Sequence, residues 1–337
     1  MEPFKLSMPV RYLINFSLIV VFLILGEIIT GGGILSRAQN SIIIQVGFFI
    51  ILAVSLNLVT GYLGQLPLGH AGFMAVGAYA AAVFWRSDVL SGQPSVIGGL
   101  IVAGIVAAIF GLFIGIPSLR LRGDYLAIIT LGFGEIIRSI LVNINFLGHP
   151  AGAGGVLPGI PRNSSFLVVY VCVIITCATI HLLMKSRHGR AILAIRDNEI
   201  AAESCGVNTT YYKVLAFVVS AFFAGIAGAL FAGYLRHLEP STFEFMKSIN
   251  ILMIVVLGGM GSMFGSIIAA VILTSLPLLM QFMAQYRMII FALMLIIVMI
   301  FKPSGLMGAY DFSLSRLLEK IVNRSRERKA GNGHGKA

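Results

Sequence analysis

Apolar runs of about 20 residues recur along nearly the whole chain, and no other feature limits its fold so strongly. A bilayer's hydrocarbon core is about 30 Å thick and an α-helix rises about 1.5 Å per residue, so each run has the length of one membrane crossing. Composition agrees: 58% of the residues are apolar and 11% charged, whereas a soluble domain carries roughly 25% charged residues. The 337 residues would suit two soluble domains, but too little polar surface exists to cover them. Candidate spans run Arg11 to Thr30, Ser41 to Thr60, Ala71 to Trp85, Val96 to Ile116, Tyr125 to Phe146, Phe166 to Met184, Tyr211 to Leu235, Ile249 to Leu257, Gly265 to Met283 and Arg287 to Phe301. The third and eighth are short and adjoin glycine-rich sequence, so each is either a full crossing or half a helix that dips in. The expected fold is an all-α integral membrane protein of about ten transmembrane helices with glycine-broken segments.

Basic residues orient the spans, because Lys and Arg concentrate in short cytoplasmic loops. Lys5 and Arg11 flank the start, Arg120 and Arg122 follow the fourth span, and Lys185, Arg187, Arg190 and Arg196 follow the sixth. Seven more basic residues lie between Arg316 and Lys336. Ten spans put all four clusters on one side, with both termini in the cytoplasm, so the net charge of +11 is a topology signal. Residues 1–310 are expected to form one transmembrane domain, followed by a disordered basic tail over 311–337. That tail has no aromatic interleaving and no domain behind it, which argues against a nucleic-acid partner. Cys172, Cys177 and Cys205 show no metal spacing.

Two stretches break the helical pattern. In Gly61-Tyr-Leu-Gly-Gln-Leu-Pro-Leu-Gly-His-Ala-Gly72, the residues Gly61, Gly64, Pro67, Gly69 and Gly72 interrupt apolar sequence. Glycine weakens a helix by about 1 kcal/mol and proline by about 3. Broken backbone at membrane depth is tolerated only inside protein or beside a water-filled cavity. One account makes this part of a solute path, with His70, Phe73 and Gly77 beyond the break and Asn57 donating into it. The other is close packing through small residues, since Gly72 to Ala82 carries a small-xxx-small face. The second stretch, Leu257-Gly-Gly-Met-Gly-Ser-Met-Phe-Gly265, contains Gly258, Gly259 and Gly261 and again precedes a small-residue helix. Together they have the pattern of an internal repeat, parallel if both breaks share a membrane face and inverted if they do not.

An ionised side chain at the bilayer centre costs at least about 2.5 kcal/mol, so Glu135 and Arg138 stand out. Three apart on one helix face, they can pair with each other, either to pack the bundle or to line the path. Glu27 suits an interfacial position, and His70, with no second ligand at metal spacing, suits a hydrogen-bonded structural role.

The loop Ser186 to Gly206 divides into two short helical pieces. Asp197 or Asn198 can cap the second piece, Glu199 complements its first-turn dipole, and Gly206 supplies a stop. Such a loop either docks into a partner or lies on the bilayer through Arg187, Arg190 and Arg196.

Glu199-Ile-Ala-Ala-Glu-Ser-Cys-Gly206 resembles the EAA-type loop by which permeases of ATP-binding-cassette importers engage their ATPases. Asn57 to Ala82, Ser118 to Arg138, Gly152 to Pro161, Gly189 to Gly206 and Leu257 to Gly265 resemble, in that order, the M-type permeases of branched-chain amino-acid importers. The resemblance spans roughly Ile43 to Phe301. Pro67 departs from the serine usual before Leu-Gly-His, and Ala151-Gly-Ala-Gly-Gly155 departs from a Thr-Gly-Gly-Ser-like run. Both changes remove hydroxyls and leave the solute open.

The resemblance implies a bacterial inner-membrane permease paired with a sister permease, two cytoplasmic ATPases and a periplasmic solute-binding protein. It also implies that Gly189, Arg190, Arg196, Asp197, Glu199, Ala202, Glu203 and Gly206, within a loop over 186–210, couple to the ATPases. The chain has no G-x-x-x-x-G-K-[ST] loop, so ATP and Mg²⁺ are expected in the partner subunits and no cofactor in this one. A permease for urea or short amides, and an ion-coupled secondary transporter relying on Glu135, are the alternatives. An enzyme would need convergent nucleophile, base or metal groups, and none are suitably spaced.

Overall fold

The computed structural model describes residues 8–32, 35–87, 93–118, 124–144 and 155–279, with isolated positions at 286, 289, 292, 293, 296, 300, 301 and 305. Arg120, Arg122, most of the tenth expected span and the whole basic tail lie outside the described residues. The chain divides into two units. The first contains helix α1, Met8–Gly31. The second spans Arg37–Tyr310 and contains every other element described below.

Its helices are α2 (Arg37–Asn57, running on through a π-turn at Leu58–Tyr62), α3 (His70–Arg86), α4 (Gln93–Ser118), α5 (Asp124–Asn143) and α6 (Phe166–Lys185). Two short helices follow, α7 (Arg187–Asp197) and α8 (Glu199–Ser204), then α9 (Thr209–Leu235), α10 (Phe245–Gly258) and α11 (Met263–Leu279). Among the described residues, five stretches are long and apolar enough to cross a membrane: Arg37–Tyr62, Ser95–Ser118, Tyr125–Asn143, Phe166–Lys185 and Thr209–Leu235. The α10 and α11 segments are apolar but shorter. Among the described residues one pair of two-residue strands interrupts the helical pattern, β1 (Leu157–Pro158) antiparallel to β2 (His237–Leu238).

Helices α3, α4 and α9 pack on one another at the centre. Their seam is built from small residues: a Cβ on Gly77 would run into the Gly225 backbone, one on Gly228 into the Met74 carbonyl, and one on Gly225 into Ala103 and Ala107. Without side chains between them the backbones approach closely, which suits helices that cannot rely on a hydrophobic contrast with lipid. Helix α2 adds to this core through Phe48, which meets Phe231 of α9 edge-on at 5.3 Å. The α2 stretch is 78% buried within the chain, against 22% for α5.

Helix α10 begins at Phe245, four residues before its expected start at Ile249. Lys247 does not end the helix, because its ammonium lies over the rings of Phe49 and Phe231 at 4.8 and 4.9 Å. A cation over an aromatic face is partly compensated for lost water.

Candidate functional site: two glycine breaks and the adjoining loop

The first break has two levels. At the lower one, α2 widens into the π-turn and ends at Tyr62, where Leu63 N bonds the Leu58 carbonyl at 3.2 Å and Gln65 N the Val59 carbonyl at 3.0 Å. Residues 63–69 then run non-helically, with Gly64 at φ +77°. The second break turns through Gly259 and Gly261, at φ +109° and +84°, before Ser262 caps α11 by accepting from Gly265 N at 3.1 Å.

These two breaks meet. Asn57, fully buried, donates from Nδ2 to the Ser262 carbonyl at 3.0 Å and accepts at Oδ1 from Gly261 N at 2.9 Å. A Cβ on Gly61 would occupy the place of both Asn57 Oδ1 and Gly261 N, so only glycine admits the contact. Gly258 lies as closely against the Gly265 backbone.

Seven residues later, at the upper level, α3 starts deep in the bundle. Gly69 lies against the Thr130 carbonyl and Gly72 against Gly134, both near the middle of α5. Leu68 N donates to Thr130 Oγ1 at 3.0 Å, and Ala71 N to Ser248 Oγ of α10 at 3.0 Å. His70 shares a 3.1 Å hydrogen bond with Ser55 Oγ, and Ser220 of α9 donates to the Ser55 carbonyl at 2.7 Å. Two freed N–H groups at this helix start are thus met by hydroxyls from α5 and α10, and the His70 side chain by one from α2, as an apolar surrounding demands. His70 has the structural, hydrogen-bonded environment expected of it.

Phe73 packs edge-on to Phe217 at 5.4 Å, and Gly77 belongs to the α3–α9 seam. Glu135 and Arg138 form the expected pair at 2.7 Å, their side chains 36% and 32% exposed within the chain. Glu135 borders a shallow notch with Leu68, Gly72, Gly134, Phe243 and Ser248, directly at the start of α3.

The loop after α6 folds into two helices, as its sequence suggests. Ser186 caps α7 by accepting from His188 N and Gly189 N, and the buried Gly189 seats that turn on the Leu183 and Met184 backbone. Of the two possible caps for α8, Asn198 accepts from Ala201 N at 3.0 Å, while Asp197 takes two hydrogen bonds from Arg196. Gly206 closes the piece at φ +82°. Ala202 is buried beneath α8, whereas Arg190 and Glu203 are exposed. Glu199 has a partner that sequence reasoning missed: Lys213 of α9, 4% exposed, meets its Oε1 at 2.7 Å.

Arg196 brings loop and breaks together. Its Nη1 donates to the Gly61 carbonyl at 3.3 Å and lies 3.5 Å from where a Gly261 Cβ would stand, while its Cγ fills the space beside Gly64. Among the described residues no group of three or more His, Cys, Asp and Glu side chains could hold a metal ion.

No solved structure matches the chain. The high-affinity branched-chain amino acid transport system permease protein LivM of Salmonella typhimurium is 37% identical over 311 residues, covering 81% of this chain and 70% of that protein. LivM of Escherichia coli is 36% identical over 315 residues, with the same coverage of each. LivH of Salmonella typhimurium, from the same type of system, is 25% identical over 283 residues, covering 77% of this chain and 91% of that protein. Residues 39–299 match the family described as the permease component of the branched-chain amino acid transport system, and the chain belongs to that family.

Proposed function

We propose that this chain is the inner-membrane permease subunit of an ATP-binding-cassette importer for branched-chain or other hydrophobic amino acids. It forms the translocation path with a sister permease, receives solute from a periplasmic binding protein, and is driven by two separate ATPases that bind ATP and Mg²⁺. The spans number about ten, with both termini in the cytoplasm. The α7–α8 loop engages the ATPases, and the two breaks belong to one repeat arrangement with both on the loop's side.

The observation that carries this proposal is the junction of the α7–α8 loop with both glycine breaks at Arg196, Gly61 and Gly261. A loop that touches backbone freed from regular helix can move that backbone. The upper level of the first break supplies the solute contact: the notch there is bordered by Glu135, Gly72 and Ser248, and a carboxylate within a membrane helix marks a path residue.

The test is reconstitution of the permease pair with its ATPases, and measurement of ATP hydrolysis and uptake with binding proteins loaded with leucine, other amino acids or urea. Stimulation by leucine-loaded protein supports the proposal, and stimulation by urea alone moves the chain to the amide carriers of the alternative. Gly206→Pro and Glu199→Lys should abolish uptake while membrane insertion persists; normal uptake in both would remove the coupling role of the loop.

A further inference from the structure

Two bodies meet at the lower break. Helices α7 and α8 are carried by α9, through the Lys213–Glu199 pair at 2.7 Å and the seating of Gly189 on α6. The end of α2 is knitted to the α10–α11 turn through Asn57, which bonds Gly261 N and the Ser262 carbonyl. Arg196 crosses from the first body to the second. Its guanidinium bonds its neighbour Asp197 by Nε at 3.2 Å and Nη2 at 3.1 Å, which fixes the plane of the fork. The remaining nitrogen, Nη1, points to the Gly61 carbonyl in the π-turn, at 3.3 Å. The aliphatic stem lies on Gly64, so head and stem touch the end of the π-turn and the start of residues 63–69. Those residues end at the start of α3, beside the notch with Glu135.

From this geometry we infer that Arg196 is a positioning residue that links the α7–α8 loop to the paired glycine breaks, so that displacement of the loop shifts the segment 63–69 and the start of α3. The inference rests on the coupling role proposed above and names the contact through which it acts. Arginine suits this task because its planar fork binds Asp197 and the carbonyl at once, while a lysine ammonium offers donors without the fixed plane.

The measurement uses the complete importer in proteoliposomes, with the solute moved per ATP hydrolysed as the readout. Arg196→Ala should lower that ratio by about tenfold, the scale of one lost charge-assisted hydrogen bond. Arg196→Lys, which keeps one donor to the carbonyl, should restore the ratio to within about threefold. Should the alanine variant fail to assemble, Asp197→Asn replaces it and should lower the ratio in the same direction by releasing the fork. A residue that only stabilises the fold would reduce ATP hydrolysis and uptake together and leave their ratio unchanged, and that result would overturn the inference. Failure of the underlying coupling role has a different signature, since Glu199→Lys and Gly206→Pro would then retain uptake.

Discussion

The fully buried Asn57 and Gly261, 204 residues apart in sequence, share a 2.9 Å hydrogen bond. The same carboxamide reaches the Ser262 carbonyl, so one side chain satisfies a donor and an acceptor of the second break. Asn57→Leu leaves Gly261 N without its acceptor, while the Ser262 carbonyl keeps its bonds from Ser266 N and Oγ at 3.1 Å. The variant should lose about 1–3 kcal/mol of stability, seen as a lower midpoint of thermal unfolding in detergent. An unchanged midpoint would mean that the two breaks are not held together by this residue.

The Lys213–Glu199 pair predicts an asymmetry between single and double variants. Lys213 is 4% exposed, so Glu199→Gln strands a buried ammonium and should cost about 3 kcal/mol. Replacing both, as Lys213→Met with Glu199→Gln, removes the stranded charge and should recover most of that loss. Hydrogen exchange across α8 should rise in the single variant and return toward wild type in the double one.

Two glycines that look alike in sequence should respond oppositely to alanine. Gly77 abuts the Gly225 backbone, so Gly77→Ala forces α3 from α9 and should cost about 1–3 kcal/mol. Gly132 on α5 has nothing within 4 Å of an added Cβ, and Gly132→Ala should be neutral or stabilising by up to about 1 kcal/mol in the isolated subunit. Unfolding midpoints of the two purified variants decide this.

The Glu135–Arg138 pair separates a path role from a packing role. Exchange of the two residues, Glu135→Arg with Arg138→Glu, keeps the charge balance and the spacing of the 2.7 Å pair. If Glu135 lines the path, the exchanged protein should fold and assemble but lose uptake by about tenfold or more, because the carboxylate leaves the notch. Retained uptake would assign the pair to packing alone.

The helices were legible because hydrocarbon allows few alternatives: a long apolar run states its own length. Both breaks were legible because glycine and proline mark where a helix stops, and the Asn198 cap and Gly206 stop are local chemistry. What remained hidden is tertiary. Nothing near Lys213 in sequence announces Glu199, and a lysine near the start of an apolar helix resembles an interfacial anchor. The hydroxyls of Ser55, Thr130, Ser220 and Ser248 come from four separate helices, and only the fold brings them to or beside the start of α3. Polar residues isolated in spans were the available signal, since such residues often bond across helices.

The small-residue seam of α3, α4 and α9 restricts how this protein can change shape. Backbone pressed on backbone at Gly77, Gly225 and Gly228 offers no rotamers to exchange and no slack to slide through. Among the described residues these three helices form a keel, and the seven unwound residues between α2 and α3 and the turn at Gly259 to Gly261 are joints at which the backbone leaves regular helix. Stiffening either joint would freeze the molecule in one posture without loosening its core.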